Sequence, residues 1–197
     1  MLGVRGSPDL DQSAVGRRIA QYLAVWAFAY ACYRFYYALG GEFGLIGRPV
    51  SAARWRAING FGAAVILLAA ILPIVAVRAS ALRRALPVLG WIGAVGCVMH
   101  ALTDASLRML SITGVHPTQL PSEVWLSFDR QAADLQDLLL NEPWFLIEGL
   151  LWAALGLAFT SVSRRRAWTL SVVSGVLFLS AVGVLSGLGV IAVFHFG

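Results

Sequence analysis

The sequence predicts an all-α protein, a polytopic membrane helix bundle of five transmembrane helices plus one amphipathic helix at the outer interface. Three observations predict it. Hydrophobic residues fill 59% of 197 positions and charged residues only 13%, with a mean hydropathy of +0.76; a water-soluble domain of this size needs more polar surface to cover one core. The apolar residues come in blocks of about 20, the length that crosses a hydrocarbon layer about 30 Å thick at about 1.5 Å per residue. Short arginine clusters lie between the blocks. The formal charge of +5 comes from arginine alone, since there is no lysine, and this clustering reads as a topology signal rather than as a nucleic-acid footprint. The absence of lysine beside abundant Ala, Gly, Val and Arg fits a GC-rich bacterial genome.

Residues 1–18 read as a short, mobile cytoplasmic tail ending in Arg17-Arg18, and residues 19–197 as a single membrane domain. The first span, about 19–39, is an uncleaved signal anchor: it is long, rich in bulky aromatics and followed by no small-x-small cleavage site. An outer loop with Gly40-Gly41, Pro49 and Arg54-Trp55-Arg56 leads to the second span, about 58–77, where Pro73 should kink the inner end. Arg78, Arg83 and Arg84 mark a tight turn. The third span, about 87–107, opens at Pro87 and offers Gly90, Gly93 and Gly96 as a thin face for close helix approach. The outer loop 108–142 is acidic. Within it Trp125, Phe128, Ala132, Leu135 and Leu139 recur at helical spacing behind a candidate N-cap at Ser122, which predicts the interfacial helix. The fourth span, about 143–161, ends before Arg164-Arg165-Arg166. The fifth, about 168–194, carries Gly183-x-x-x-Gly187, a helix-packing pattern expected to act within the chain.

Orientation follows from the arginines. With the N-terminus in the cytoplasm, nine arginines lie inside (5, 17, 18, 78, 83, 84, 164, 165, 166) against five outside (48, 54, 56, 108, 130), as the positive-inside rule requires. The chain is thus expected to be a multi-pass plasma-membrane protein with its C-terminus outside.

Ionisable side chains inside a bilayer cost at least about 2.5–3.5 kcal/mol each near a helix centre. The candidates are Arg34, His100, Asp104, Glu148 and His195, and on this topology all five fall in the outer half of the membrane. His100 and Asp104 are four apart, on one helix face, with Cys97 before them and Arg108 after. An acid beside histidine can orient the imidazole for proton transfer, or bind a metal together with a further carboxylate. Arg34 can neutralise Asp104 or Glu148, or hold an anionic headgroup. Trp26, Tyr30, Tyr33 and Tyr37 form a stripe that packs in the core with its hydroxyls partnered, or walls a site beside Arg34. Cys32 and Cys97 lack metal-ligand spacing and read as small hydrophobes.

Over residues 34–45, Arg34-Phe35-Tyr36-Tyr37-Ala38-Leu39-Gly40-Gly41 followed by Phe43-Gly44-Leu45 resembles a family of small, uncharacterised bacterial membrane proteins. Their first helix ends in a His-aromatic-Tyr-Trp-Ala-Leu-Gly-Gly motif. Here Arg34 stands where that family has histidine and Tyr37 where it has tryptophan, so proton or metal chemistry at that histidine does not carry over. The likeness is diffuse across the second span and slight at Phe128-Asp129-Arg130, and it implies no activity.

The leading functional expectation is a non-enzymatic membrane protein that binds a lipid or small amphiphile in an outer-leaflet polar pocket, with Arg34, Tyr37, His100, Asp104 and Glu148 as ligand-binding residues, no metal expected and no cofactor assigned. The alternatives are a membrane-embedded enzyme using His100 and Asp104 as an acid/base pair, and a scaffold subunit packing a membrane-protein partner through Gly183 and Gly187. No H-E-x-x-H or G-x-S-x-G spacing is present to favour catalysis.

Overall fold

A computed structural model describes residues 8–191 as an all-α bundle. The long helices are α1 (Pro8–Ala38), α2 (Ala52–Arg78), α4 (Leu86–Ile112), α6 (Glu142–Ala158) and α7 (Val162–Gly187), joined by the short α3 (Ser80–Arg83) and α5 (Arg130–Gln136). Two short strands, β1 (Gly47–Pro49) and β2 (Trp125–Phe128), pair antiparallel. A single π-helical turn, Asp137–Asn141, links α5 to α6 in one continuous 29-residue helix, Arg130–Ala158.

Among the described residues four helices are long and apolar enough to cross a membrane: α2, α4, the α5–α6 helix and α7. At 31 residues α1 is about 46 Å long, ample for a crossing, but Gln21, Arg34 and its five tyrosines lower its hydropathy. It starts at Pro8, so the expected tail of residues 1–18 is helical from there; a proline at the first helical position and acids at 9 and 11 suit a helix start. Residues 1–7, and the end of the fifth expected span with His195, lie outside the described residues. The last helix stops at Gly187, where Gly189 takes a φ of +71° and Val190 N–H returns to the Leu185 carbonyl, a left-handed helix ending that glycine favours.

Helix α2 packs along α1, α1 against α6, α6 against α4 and α4 against α7, while α2 and α4 barely touch. Small residues set the close approaches. A Cβ on Gly90 would lie 2.5 Å from the Gly156 Cα, and one on Gly93 2.4 Å from the Trp152 ring. Gly96 has nothing within 4 Å, because a three-residue repeat drifts by about 60° per step on a 3.6-residue helix. The Gly183 and Gly187 positions rest on Thr103 and Leu107 of α4, so this pattern serves contact within the chain. The main apolar core gathers Ala20, Leu23, Ala76, Val77, Leu86, Val95, Trp152 and Leu155 near the α2–α4 connection. Pro73 is accommodated inside α2, which continues to Arg78.

The region 108–142 departs from expectation. Helix α4 runs on to Ile112, and Trp125 and Phe128 belong to β2 rather than to an amphipathic helix. Strand β2 pairs with residues 47–49, placing Gly47 opposite Phe128, where any Cβ would meet the Ser127 carbonyl at 2.2 Å. The helix starts later than expected, capped by Asp129, whose side chain accepts from Ala132 N–H at 3.0 Å. Among the described residues the Ser122 hydroxyl hydrogen-bonds only to its neighbour Glu123, at 3.4 Å, and caps no helix.

Candidate functional site

Because α2 and α4 diverge from their connection, a cleft of about 440 Å³ opens between their far halves, backed by α1 and the start of α6. Phe61, Val65 and Ile66 of α2 and Phe145 of α6 give it apolar walls. Arg34, His100, Asp104, Arg108, Asp137, Asn141 and Glu142 bring polar and charged groups together inside it. Phe61 is 75% and Val65 49% exposed, so the mouth of the cleft faces the surroundings of the bundle from the side.

Arg108 anchors the polar end. Its Nε donates to Asp137 Oδ2 at 2.7 Å and its Nη1 to Thr118 Oγ1 at 3.0 Å. Behind it Asp134, only 1% exposed, accepts from the Ser111 and Thr118 hydroxyls, both at 2.5 Å. Asp137 also accepts from Asn141 Nδ2 at 2.7 Å, and Asn141 Oδ1 accepts from the Tyr30 hydroxyl at 3.1 Å. The π turn makes this possible. It inserts one extra residue, closed by the Glu142 N–H bonding to the Asp137 carbonyl, and so re-phases α6 against α5. Such turns recur at functional sites.

Two groups in the cleft are left over. Arg34 lies against Gly62, where a Cβ would stand 3.4 Å from its guanidinium, and it makes no ion pair or hydrogen bond among the described residues; its Nε is buried. The Glu142 carboxylate is 4% exposed, and its Oε2 has no hydrogen-bond partner. The His100 Nε2 lies 4.0 Å from Glu142 Oε2 and 3.6 Å from Asp104 Oδ2. Ligand atoms of His100, Asp104 and Glu142 all lie within 4.8 Å of one another.

Of the residues singled out in the sequence, Arg34, His100 and Asp104 share this cleft; Glu148 and Tyr37 do not line it. Glu148 is buried six residues past Glu142 along α6, with Oε2 unpartnered among the described residues. Tyr37 donates to the Phe43 carbonyl at 3.0 Å, packs edge-on against Trp55 and secures the loop after α1. The pairing of Arg34 with Asp104 or Glu148 is not formed: no such ion pair lies within 4.0 Å. The aromatic stripe packs as expected. Trp26 stacks on Trp144 at 4.2 Å, and Tyr33 Oη accepts from Gln136 at 3.1 Å, while Tyr30 also walls the cleft beside Arg34. Asp134, Asp137, Asn141 and Glu142 escaped the sequence reading, which placed the acids of 108–142 on a solvated helix face. Their signal was the 134–137–141 spacing, which keeps one face towards Arg108.

The 34–45 motif also acquires a structural reason. Gly40 has a φ of +95°, and a Cβ on Gly41 would strike the Tyr36 ring at 2.2 Å. Tyr36 Oη in turn accepts from Phe43 N–H at 2.9 Å. No family model matches the chain, and neither a curated protein nor a solved structure matches it.

Proposed function

We propose that this is a five-span plasma-membrane protein that holds an amphiphile with an anionic headgroup in a cleft open to the outer half of the bilayer. The observation that carries the reading is Arg34, a guanidinium unpaired among the described residues, inside a cleft whose lips are apolar and exposed. A guanidinium left alone at this depth costs several kcal/mol. A phosphate or carboxylate, which it binds bidentately, offsets that cost, while Phe61, Val65 and Phe145 suit an acyl or other apolar tail.

The fifth crossing is α1. It buries Ala20, Leu23, Ala27, Tyr30 and Ala31 against its neighbours and exposes Tyr22, Val25 and Phe28, as a helix at the edge of a bundle in lipid does. With α1 counted, the arginine bias puts the N-terminus in the cytoplasm, the C-terminus outside, and Arg34, His100, Asp104 and Glu142 in the outer half. Kinship with the family of small bacterial membrane proteins over residues 34–45 belongs to the same proposal and adds no activity. The scaffold alternative loses its named surface, because Gly183 and Gly187 are occupied by α4.

Photocrosslinking tests the reading. A benzoyl-phenylalanine at position 61, at the mouth of the cleft, should capture an anionic amphiphile in native membranes, and adding Arg34→Gln should remove that adduct. The same probe at position 178, on the lipid-exposed side of α7, should sample bulk lipid in both backgrounds. Equal capture at position 61 with and without Arg34 would refute the proposal.

A further inference from the structure

We propose that His100, Asp104 and Glu142 bind a first-row divalent metal ion, zinc or manganese, at the polar end of the cleft. Three features converge on it. The donor set is one imidazole and two carboxylates from two helices, the nitrogen–oxygen chemistry such ions prefer. The geometry is close to a coordination shell. Ligands bound tetrahedrally at about 2.0–2.1 Å lie about 3.3 Å apart, and here His100 Nε2 is 3.6 Å from Asp104 and 4.0 Å from Glu142, with all three ligand atoms within 4.8 Å of one another. Finally, the Glu142 Oε2 is buried, points at His100 and accepts no hydrogen bond, an arrangement costly for an acid unless a cation meets it.

Charge supports the same assignment. Two guanidiniums, Arg34 and Arg108, face four carboxylates, Asp104, Asp134, Asp137 and Glu142. With all four ionised, the state metal binding requires of its own ligands, the excess is two negative charges, which one divalent ion cancels. The ion together with Arg34 then presents two positive centres to one headgroup, and three protein ligands leave coordination positions free for its oxygens. The metal site does not depend on the amphiphile.

The test uses the full chain in lipid nanodiscs, stripped with a chelator and titrated with Zn²⁺ and, separately, Mn²⁺, with elemental analysis of the washed protein. The wild type should retain one equivalent of at least one of the two ions. His100→Gln and Glu142→Gln should each weaken binding at least about tenfold, the loss seen even for an outer-shell partner, while Glu148→Gln and Arg34→Gln should keep it. Loss of the amphiphile with metal retained in Arg34→Gln would separate the two readings. No stoichiometric zinc or manganese in the wild type, or binding that survives both glutamine substitutions, would overturn the proposal. Should a variant fail to fold, the Co²⁺ spectrum of the wild type decides: nitrogen–oxygen ligation is expected, and a thiolate charge-transfer band would move the ion to Cys97 and refute the site.

Discussion

Residues in the cleft fall into those that hold the structure and those left with capacity to spare. Asp134 is of the first kind. Two hydroxyl donors converge on a side chain 1% exposed, so Asp134→Ala strands both, while Arg108 keeps its bond to Asp137. At about 1.5 kcal/mol for each bond to a charged group, the loss should be about 3 kcal/mol, read as a lower thermal midpoint in detergent. Arg34 is of the second kind: with no partner among the described residues to strand, Arg34→Gln should leave that midpoint unchanged or raise it. A large stability loss in Arg34→Gln would mark it as structural. Single-residue reasoning in the sequence found Arg34, His100 and Asp104 because a charge in an apolar block stands out. It also selected Glu148 and Tyr37, since hydropathy registers depth in the membrane but not the direction in which a side chain points. It passed over Glu142 and Asp137, which stand at a span boundary where acids are ordinary.

At the scale of elements, the apolar blocks made α2, α4, α6 and α7 legible with ends off by up to about seven residues, because length and hydropathy are local properties but helix ends are not. The misreading of 108–142 was of another kind. Trp125 and Phe128 are spaced as a helix would space them, but Gly47–Pro49, far away in the chain, supplies strand partners, and no local pattern reports that. The glycine spacing was legible as an interface, though not in which glycines face it. Gly90→Ala should destabilise by about 1–3 kcal/mol, since its Cβ would meet backbone of Gly156 at 2.5 Å. Gly96→Ala meets nothing within 4 Å and should be neutral or stabilising, alanine being the better helix former. Unfolding midpoints of the pair check the α4–α6 contact; equal effects would contradict it.

For the whole molecule, the order α2, α1, α6, α4, α7 leaves α2 and α4 as the two sides of an opening rather than a closed bundle, and topology decides which leaflet it meets. With Cys32 and Cys97 replaced by alanine, Ser122→Cys should react with an impermeant maleimide in intact cells. Ser163→Cys should react only after permeabilisation. The reverse pattern would place the cleft in the inner half. The central claim is that the cleft holds an anionic amphiphile through Arg34, and native mass spectrometry of the protein released gently from its own membrane tests it most directly. The account predicts a stoichiometric adduct in the wild type that is absent in Arg34→Gln; a bare chain, or an adduct equally retained by the variant, would contradict it.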